Sequence, residues 1–281
     1  MMRLSLVCAL SFLLVSHSAA SKIIGSHNDL MDEKSFNFIE NEYQAFSGIG
    51  RLRCPIRDGW STATAFQAGS YDMMITTAHS FIDPATGKDS VPQNCNVTFY
   101  YPNGSPRETV GIRRVVSRWS DPKFRGDVSN DIAIILLDTV TKTPSHASPV
   151  ELESRPYGVV TLIGFAANRT ISYTRMVKSV GISAHFPKDM AQRHSKQAGE
   201  PIHNPDNVIA ASYDAASGSS GSPIFMNGRV IGIHQGSQGP DNADFGFLPG
   251  AGLASYNMFV LFDDRFVRDV RGLLGLSNDG K

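Results

Sequence analysis

The sequence predicts an all-β fold, and two features of the chain carry that prediction. Helical periodicity is scarce, and short runs rich in β-branched and aromatic residues, bounded by Gly, Pro, Asn and Asp, recur instead. Many short strands with turn signals between them are typical of a β-barrel or a β-sandwich. The chain has 281 residues and is 41% hydrophobic, which is enough apolar material for a substantial core. The runs predicted as strands are 48–54, 61–67, 71–78, 96–102, 109–116, 131–137, 158–165, 168–177, 207–213, 229–234 and 258–262.

The start of the chain has the pattern of a secretory signal peptide. Arg3 precedes an apolar stretch from Leu4 to Val15, and small residues follow at 18–20. The apolar stretch is too short to cross a bilayer as a helix. We therefore expect residues 1–20 to be removed and the protein to be secreted, either to the extracellular space or to a periplasm. The polar residues 21–44 are predicted to form a turn-like extension or pro-segment.

A polar stretch in the middle of the chain indicates two structural units. Residues 141–156 contain three prolines and divide the strand-rich body into halves of similar size. Two small barrels packed together are therefore expected, over residues 45–145 and 146–262. Residues 185–207 are predicted to be a long polar loop within the second unit.

The end of the chain is predicted to be helical within residues 263–281. Phe266, Val270 and Leu273 recur at helical spacing. Asp263 or Asp264 is placed to cap the start of the helix. We expect this helix to pack on the second barrel.

The charge balance gives no reason to expect a nucleic acid or an anionic membrane as a partner. Lysine and arginine together number 26, as do aspartate and glutamate, so the formal net charge is +0. Binding to either partner needs a basic excess or basic clusters. No apolar run after the signal peptide is long enough for a transmembrane helix. We expect a monomer that needs no cofactor.

The cysteines predict one disulfide bond. Cys8 leaves with the signal peptide, so Cys54 and Cys95 remain in a chain directed to an oxidising compartment. The alternative is two free, buried thiols.

Two separate contexts contain residues suited to acid–base chemistry. In MMITTAHSF an apolar strand ends next to His79, and imidazole can act as a general base near neutral pH. In SNDIAIILLD, Asp131 opens an apolar strand and could either cap a turn or orient a catalytic imidazole. Taken alone, each residue fits a structural role at least as well.

The stretch DAASGSSGSPIF contains a candidate nucleophile. A Ser/Gly-rich run usually indicates a flexible linker. Here it continues into PIFMNGRVIGIH, a hairpin pattern with an Asn-Gly turn. A tight glycine turn around Ser220 would let the N–H groups of Gly218 and Ser220 point at an oxyanion.

In combination, the motifs TAH, DIAI and GSSGSP occur in the order His, Asp, Ser. The chain thereby resembles the trypsin-like (chymotrypsin-fold) serine proteases over residues 45–262. It is most similar to the secreted branch with a Gly-x-Ser-Gly-Ser-Pro motif, which includes bacterial glutamyl endopeptidases. An α/β-hydrolase would instead show Gly-x-Ser-x-Gly and the order Ser, acid, His.

The resemblance implies two six-stranded antiparallel β-barrels with the active site between them. It implies that Ser220 is the nucleophile, His79 the general base and then acid, and Asp131 the orienting carboxylate. The predicted function is that of a secreted serine endopeptidase acting on polypeptides. The alternative is a catalytically inactive homologue that acts as a binding protein.

The substrate pocket has two candidate selector residues under this resemblance. Asp214 lies six residues before Ser220, where trypsins carry the aspartate that attracts Lys and Arg, although it could simply start a loop of variable length. His234 in GIHQGS matches the Gly-Ile-His of glutamyl endopeptidases, in which the histidine helps bind a substrate carboxylate. Ser217 and Ser237 could assist by hydrogen bonding. The alternative for His234 is packing behind the pocket.

The residue before the nucleophile departs from the digestive trypsins. These carry an aspartate there, which pairs with the new N-terminus after zymogen cleavage. Ser219 cannot form that ion pair, so the activation-like KIIG at 22–25 is interpreted as coincidental. Activation by processing remains open by another route.

Two further residue patterns have weaker implications. Three histidines spaced nine residues apart match no ordinary zinc motif, so no metal site is expected. Three Asn-x-Ser/Thr sequons are glycosylation candidates if the source is eukaryotic. The histidines are His185, His194 and His203, and the sequons begin at Asn96, Asn103 and Asn168.

Overall fold

The structure is a computed structural model, and its described residues contain nearly all of the predicted strands. The described residues are 40–56, 59–82, 87–143, 157–166, 174–186, 188–213, 215, 217–238 and 256–275. The predicted signal peptide and the sequon at Asn168 lie outside them. Asp214, one of the two candidate selector residues, also lies outside them.

The first half of the chain forms a closed, antiparallel barrel of six strands. The strand order around the barrel is β1-β2-β3-β6-β5-β4, so β1 and β4 close it. Apolar side chains alternate with polar ones in several of these strands, whereas β3 and β6 are apolar almost throughout, and inward-facing apolar side chains fill the barrel. The strands are β1 Ile49–Ile56, β2 Gly59–Gln67, β3 Met73–Thr76, β4 Asn96–Tyr100, β5 Pro106–Ser117 and β6 Ala133–Leu137.

The second half repeats this architecture in the order β10-β11-β12-β9-β8-β7. The predicted Asn-Gly hairpin joins β10 to β11, and Asn227 and Gly228 have φ values of 51° and 75°. Positive φ at both turn residues is what a two-residue type I′ turn requires. The all-β class with two six-stranded barrels is confirmed. The strands are β7 Gly158–Phe165, β8 Met176–His185, β9 Val208–Ala211, β10 Pro223–Met226, β11 Arg229–Gln238 and β12 Tyr256–Leu261.

Strand β8 lies further along the chain than the sequence predicts. The prediction placed a strand at 168–177, whereas β8 runs from Met176 to His185. Residues 167–173 lie outside the described part of the chain. Val180 and Ile182 in β8 are 57% and 61% exposed, and Gly181 between them is buried. The apolar side chains of this part of β8 therefore lie on its outward face, whereas Gly181 and Ser183 face inward, so the strand lacks the usual alternation of apolar inward and polar outward residues.

The three helices of the described residues are α1 Glu40–Ala45, α2 Lys188–Ala198 and α3 Asp264–Leu273. Helix α2 shows that the predicted long polar loop over 185–207 was wrong. Its sequence, KDMAQRHSKQA, is rich in good helix formers but offers little apolar periodicity. Ala191 is its buried anchor in a small cluster with Phe186 and Ile202. Packing of this short segment on the second barrel therefore decided the helix.

Helix α3 confirms the predicted terminal helix but packs differently from the prediction. Phe266 and Val270 are 4% and 3% exposed, whereas Leu273 is 40% exposed. The buried pair joins the apolar cluster between the two barrels, which includes Phe66 of the first barrel and Phe262 of the second. The ring of Phe266 stacks on Phe262 with centroids 5.0 Å apart. The helix therefore packs on both barrels.

The predicted disulfide between Cys54 and Cys95 is present. Cys54 lies in β1, and Cys95 directly precedes β4, the strand with which β1 pairs. Both cysteines are buried at 0% and 2% exposure. The bond closes the barrel covalently at the seam between its first and fourth strands.

Candidate functional site

The barrel topology brings His79 and Asp131 together. Strands β3 and β6 pair antiparallel, with Thr76 opposite Ala133. A short 3₁₀ turn, His79–Phe81, follows β3. A second 3₁₀ turn, Val128–Asn130, directly precedes Asp131, which is followed by β6. Both residues therefore lie at the same end of the barrel.

The Asp131 carboxylate holds the His79 ring in one orientation. Nδ1 of His79 lies 2.6 Å from Oδ2 of Asp131. The main-chain N–H of His79 donates to the other carboxylate oxygen at 2.9 Å. Asp131 is fully buried, whereas the His79 side chain keeps 29% exposure. The imidazole is thus fixed on its Nδ1 side, while a minority of its surface remains exposed to solvent.

The pKa of His79 reflects two opposing influences. Burial lowers the pKa, but the negative charge and hydrogen bond of Asp131, and the more distant charge of Glu200, raise it. The net result is a pKa above the ordinary imidazole value. Glu200 follows helix α2, where the sequence predicted only a polar loop. Its influence on His79 was not predicted.

The loop around Ser220 is a tight turn held by the first barrel. Gly218 and Gly221 have φ values of 93° and 81°, a region that disfavours side chains. The N–H of Thr64 donates to the Ser220 carbonyl at 2.7 Å, and the Thr64 hydroxyl donates to the Gly218 carbonyl at 3.1 Å. A Cβ on Gly221 would clash with the Thr64 carbonyl and with Thr76. The loop is therefore rigid, which contradicts the linker interpretation.

The Ser220 hydroxyl has a main-chain partner. Ser220 is 8% exposed, and its Oγ donates to the Gln235 carbonyl at 3.3 Å. Within the described part of the chain, no hydrogen bond joins Ser220 to His79. In the same part of the chain, the N–H groups of Gly218 and Ser220 donate to no acceptor. Two donors next to a serine hydroxyl have the chemistry needed to bind an oxyanion.

His234 packs directly against the Ser220 loop. Its carbonyl accepts the Gly221 N–H, and its own N–H donates to the Ser222 carbonyl, both at 2.8 Å. The ring is fully buried, and the Tyr213 hydroxyl lies 2.9 Å from its Nδ1. Burial, assisted by the charge of His79, lowers the pKa of His234 to about 3. The ring is therefore neutral at physiological pH.

The other predicted pocket residues are Ser217, Ser237 and Asp214. Ser217 is exposed and directly precedes Gly218. Ser237 belongs to β11, three residues after His234. Asp214 lies outside the described residues. The structure thus brings His234 into contact with the Ser220 loop, and Ser217 lies three residues before Ser220 in the same segment.

The described residues contain no group of three His, Cys, Asp or Glu side chains arranged to hold a metal ion. The three histidines at nine-residue spacing lie in different segments of the second half of the chain. His185 ends β8, His194 lies in α2, and His203 contacts Asp127 in the first barrel. Among the described residues, no helix is long and apolar enough to cross a membrane.

Sequence reasoning missed the residues that support the site. Thr64 holds the Ser220 loop through hydrogen bonds, and the main-chain carbonyl of Gln235 accepts a hydrogen bond from the Ser220 hydroxyl. Both lie in strands whose existence is predictable, but their contacts join segments distant in sequence. Thr64 is the clearer case, because its hydroxyl also accepts the N–H of Phe165 in the second barrel. Nothing in a single sequence indicates such a contact.

Solved structures of serine proteases share the fold of this chain. The thermostable serine protease AL20 from an extremophilic microorganism superposes with a TM-score of 0.58 at 14% identity, covering 82% of this chain and 98% of its own. A Glu endopeptidase in complex with MPD gives a TM-score of 0.56 at 13% identity, covering 92% and 98%. The scabies mite inactivated protease paralogue S-I1 gives 0.60 at 14% identity, covering 83% and 96%. No curated protein matches the chain in sequence.

Two antiparallel barrels with a His–Asp pair and a glycine-flanked serine between them define the class of trypsin-like, chymotrypsin-fold proteins. The family model described as Trypsin matches residues 62–254. This match spans His79, Asp131 and Ser220. The chain therefore belongs to the trypsin family of serine proteases.

Proposed function

We propose that the protein is a secreted serine endopeptidase that cleaves polypeptides with a triad of Ser220, His79 and Asp131. The observation that carries the proposal is the short contact between His79 and the buried carboxylate of Asp131. This contact fixes the ring on its Nδ1 side, so Nε2 is free to accept a proton. The disulfide and the signal-like start of the chain support an extracellular or periplasmic location.

The chemistry follows from these positions. Oγ of Ser220 attacks the scissile carbonyl carbon as Nε2 of His79 takes the hydroxyl proton. The N–H groups of Gly218 and Ser220 stabilise the oxyanion, and Asp131 stabilises the imidazolium. Collapse of the intermediate breaks the C–N bond, and His79 gives its proton to the leaving amine. Water, deprotonated by His79, then hydrolyses the acyl-enzyme on Ser220.

In this proposal the bond from Ser220 to the Gln235 carbonyl belongs to the free protein. Catalytic hydrogen bonds are often long or misaligned before substrate binds. The proposal therefore requires the Ser220 hydroxyl to turn from the Gln235 carbonyl to Nε2 of His79 when substrate binds. The rest of the loop needs no rearrangement, because Thr64 already holds it from the first barrel.

The same bond favours a second candidate function, that of an inactive homologue acting as a binding protein. The Ser220 hydroxyl is directed at Gln235 rather than at His79. Fold neighbours include scabies mite proteases described as inactivated paralogues. Such a protein would bind a partner in the cleft between the barrels without cleaving it.

A fluorophosphonate probe separates the two functions. We expect the mature protein to be labelled covalently, because only an activated serine reacts at a useful rate. Ser220→Ala should abolish labelling, whereas Ser222→Ala, two residues away, should retain it. Absence of labelling in correctly folded wild-type protein would favour the inactive homologue, and casein hydrolysis lost in Ser220→Ala would exclude it.

For the cleavage preference, we propose His234 as the selector and acidic residues as the substrate class. In the free protein the ring is fully buried and neutral beside the Ser220 loop, with the Tyr213 hydroxyl 2.9 Å from its Nδ1. This role therefore requires a substrate carboxylate to enter the pocket as far as the ring and to accept a hydrogen bond from it. One of the structural neighbours is a Glu endopeptidase. In a peptide library, cleavage after Glu or Asp that is lost in His234→Leu would support this assignment. Cleavage after Lys or Arg would instead identify Asp214 as the selector.

A further inference from the structure

A fully buried carboxylate lies four residues before Asp131. Asp127 is 0% exposed, and both of its carboxylate oxygens have polar partners. Oδ1 accepts from the N–H and hydroxyl of Ser129 at 3.1 and 2.8 Å, and from the N–H of His203 at 3.1 Å. Oδ2 accepts from the side-chain amide of Asn130 and lies 3.1 Å from Nδ1 of His203. The carboxylate therefore organises the loop that ends at Asp131.

Two of these contacts cross from the first barrel to the second. His203 lies between helix α2 and strand β9, both in the second half of the chain. The same segment makes two further hydrogen bonds to the loop. The N–H of Asn204 donates to the Ser129 hydroxyl at 3.1 Å, and the N–H of Val128 donates to the Pro201 carbonyl at 2.9 Å. The loop of Asp131 is thus fixed to residues 201–204.

The residue next to Asp131 is held from two sides. The Asn130 amide donates to Asp127, and its oxygen accepts from Arg118 at 3.0 Å. Arg118 in turn forms a bidentate pair with Asp263, at the end of the second barrel. Asn130 is therefore linked to the second half of the chain in two ways, through Asp127 to His203 and through Arg118 to Asp263. The second half also carries Ser220.

We infer that Asp127 is a positioning residue that fixes the loop of Asp131 to the second barrel and so holds Asp131 against His79. The inference rests on the proposed function for its catalytic consequence. His79 and Asp131 come from one barrel and Ser220 from the other, so their alignment depends on contacts between the barrels. A misplacement of about 1 Å can lower a catalytic rate by about 100-fold.

The test is Asp127→Asn, which keeps the shape and Oδ1 but replaces the Oδ2 acceptor with a donor. The new NH₂ would face the Asn130 amide and the His203 ring, so the loop should shift. We expect kcat to fall about 10- to 100-fold with little change in KM. Titration of the His79 ring by NMR should show its pKa moving down, because the contact that raises it is weakened. Within the described residues, the ionisable groups acting on His79 are Asp131, Glu200 and His234.

The titration also separates this inference from the proposed function. If the wild-type protein neither reacts with the probe nor cleaves casein, the proposed function fails, yet the His79 titration still reports whether Asp127 positions Asp131. An Asp127→Asn protein with lowered thermal stability but unchanged kcat and unchanged His79 titration would overturn the inference, because the role would be structural only.

Two matched variants complete the experiment. Asp89→Asn removes a carboxylate from the same barrel, where it is 65% exposed and paired with Arg125, and should change neither kcat nor the titration. His203→Ala removes the imidazole contact to Asp127 but keeps the main-chain hydrogen bond. It should therefore lower kcat and the pKa of His79, but less than Asp127→Asn does. If Asp127→Asn does not fold, His203→Ala decides, and an unchanged His79 titration in it would overturn the inference.

Discussion

His79 is the residue whose charge state decides the proposed chemistry. Burial favours its neutral form, while the neighbouring carboxylates favour the imidazolium. The carboxylates outweigh burial, so the pKa lies above the ordinary value of about 6.5. A higher pKa makes the ring a stronger base, but the ring then becomes neutral, and able to accept a proton, only at a higher pH.

The pH profile of kcat/KM should therefore show an acid limb above the ordinary imidazole range. Only neutral His79 can accept the Ser220 proton, so activity should fall as pH decreases through the raised pKa. The measurement is peptide hydrolysis between about pH 5 and 9. A profile that stays flat across this range would contradict the assignment of His79 as the base.

His234 should make the protein sensitive to acid. Its folded pKa of about 3 is lower than that of the unfolded chain, so the unfolded state binds the proton first. Stability should then fall as pH decreases below about 6.5, by up to about 1.4 kcal/mol per pH unit. The loss should continue until the folded ring also takes a proton, near pH 3.

The measurement is urea unfolding of wild type and His234→Leu at several pH values from neutral to mildly acidic. The variant should lose less stability on acidification than the wild type. His79 has a raised pKa and so acts in the opposite direction, but it is present in both proteins and largely cancels in the difference. Parallel stability curves would contradict the buried, neutral state of His234.

At the scale of elements, helix α3 shows how one residue can serve several contacts. Asp263 caps the helix by accepting the Phe266 N–H at 2.7 Å. It also pairs with Arg118 and accepts from Asn207. Burial alone would raise its pKa, but the hydrogen bonds from Arg118 and Phe266 lower it overall. The ion pair therefore connects helix α3 to the first barrel.

Asp263→Ala should destabilise the fold by about 2–4 kcal/mol, because a helix cap and a largely buried ion pair are lost together. Asp264→Ala removes the neighbouring exposed carboxylate and should cost little. Since the folded pKa of Asp263 is lowered, its contribution should be present at neutral pH and lost as pH falls through that pKa. The free energy of unfolding in urea, measured for both variants, tests this. Equal losses in the two variants would contradict the assigned cap.

The elements differ in how well the sequence predicts them. Strands such as β2 and β6 follow from their runs of apolar and β-branched residues. The β10–β11 hairpin follows from Asn227 and Gly228, because a type I′ turn needs positive φ at both positions. Helix α2 and strand β8 were missed or displaced, because α2 is polar and the outward face of β8 is apolar. Their state depends on tertiary packing rather than on local pattern.

At the scale of the whole molecule, the two barrels meet at a shared apolar cluster and along polar contacts near the site. Thr64 connects the Ser220 loop and β7 to the first barrel, and Asp127 connects the Asp131 loop to the second. Arg118 and Asp263 add an ion pair between the halves. These contacts all join segments more than 70 residues apart. The geometry of the proposed triad is therefore a property of the interface between the barrels.

The sequence by itself determined the fold class, the hairpin turn and the disulfide partners, and it supplied His79, Asp131 and Ser220 as the triad that we propose. Each of these follows from local chemistry, such as the turn preference of glycine, the alternation of apolar side chains or the order of three short motifs. Only the tertiary structure decided the hydrogen bonding of Asp127 to His203, the hydrogen bonding of Thr64 to the Ser220 loop, and the burial of His234. These depend on side chains from distant segments sharing one low-dielectric interior, where an unpaired polar group is costly and partners must be found across the fold.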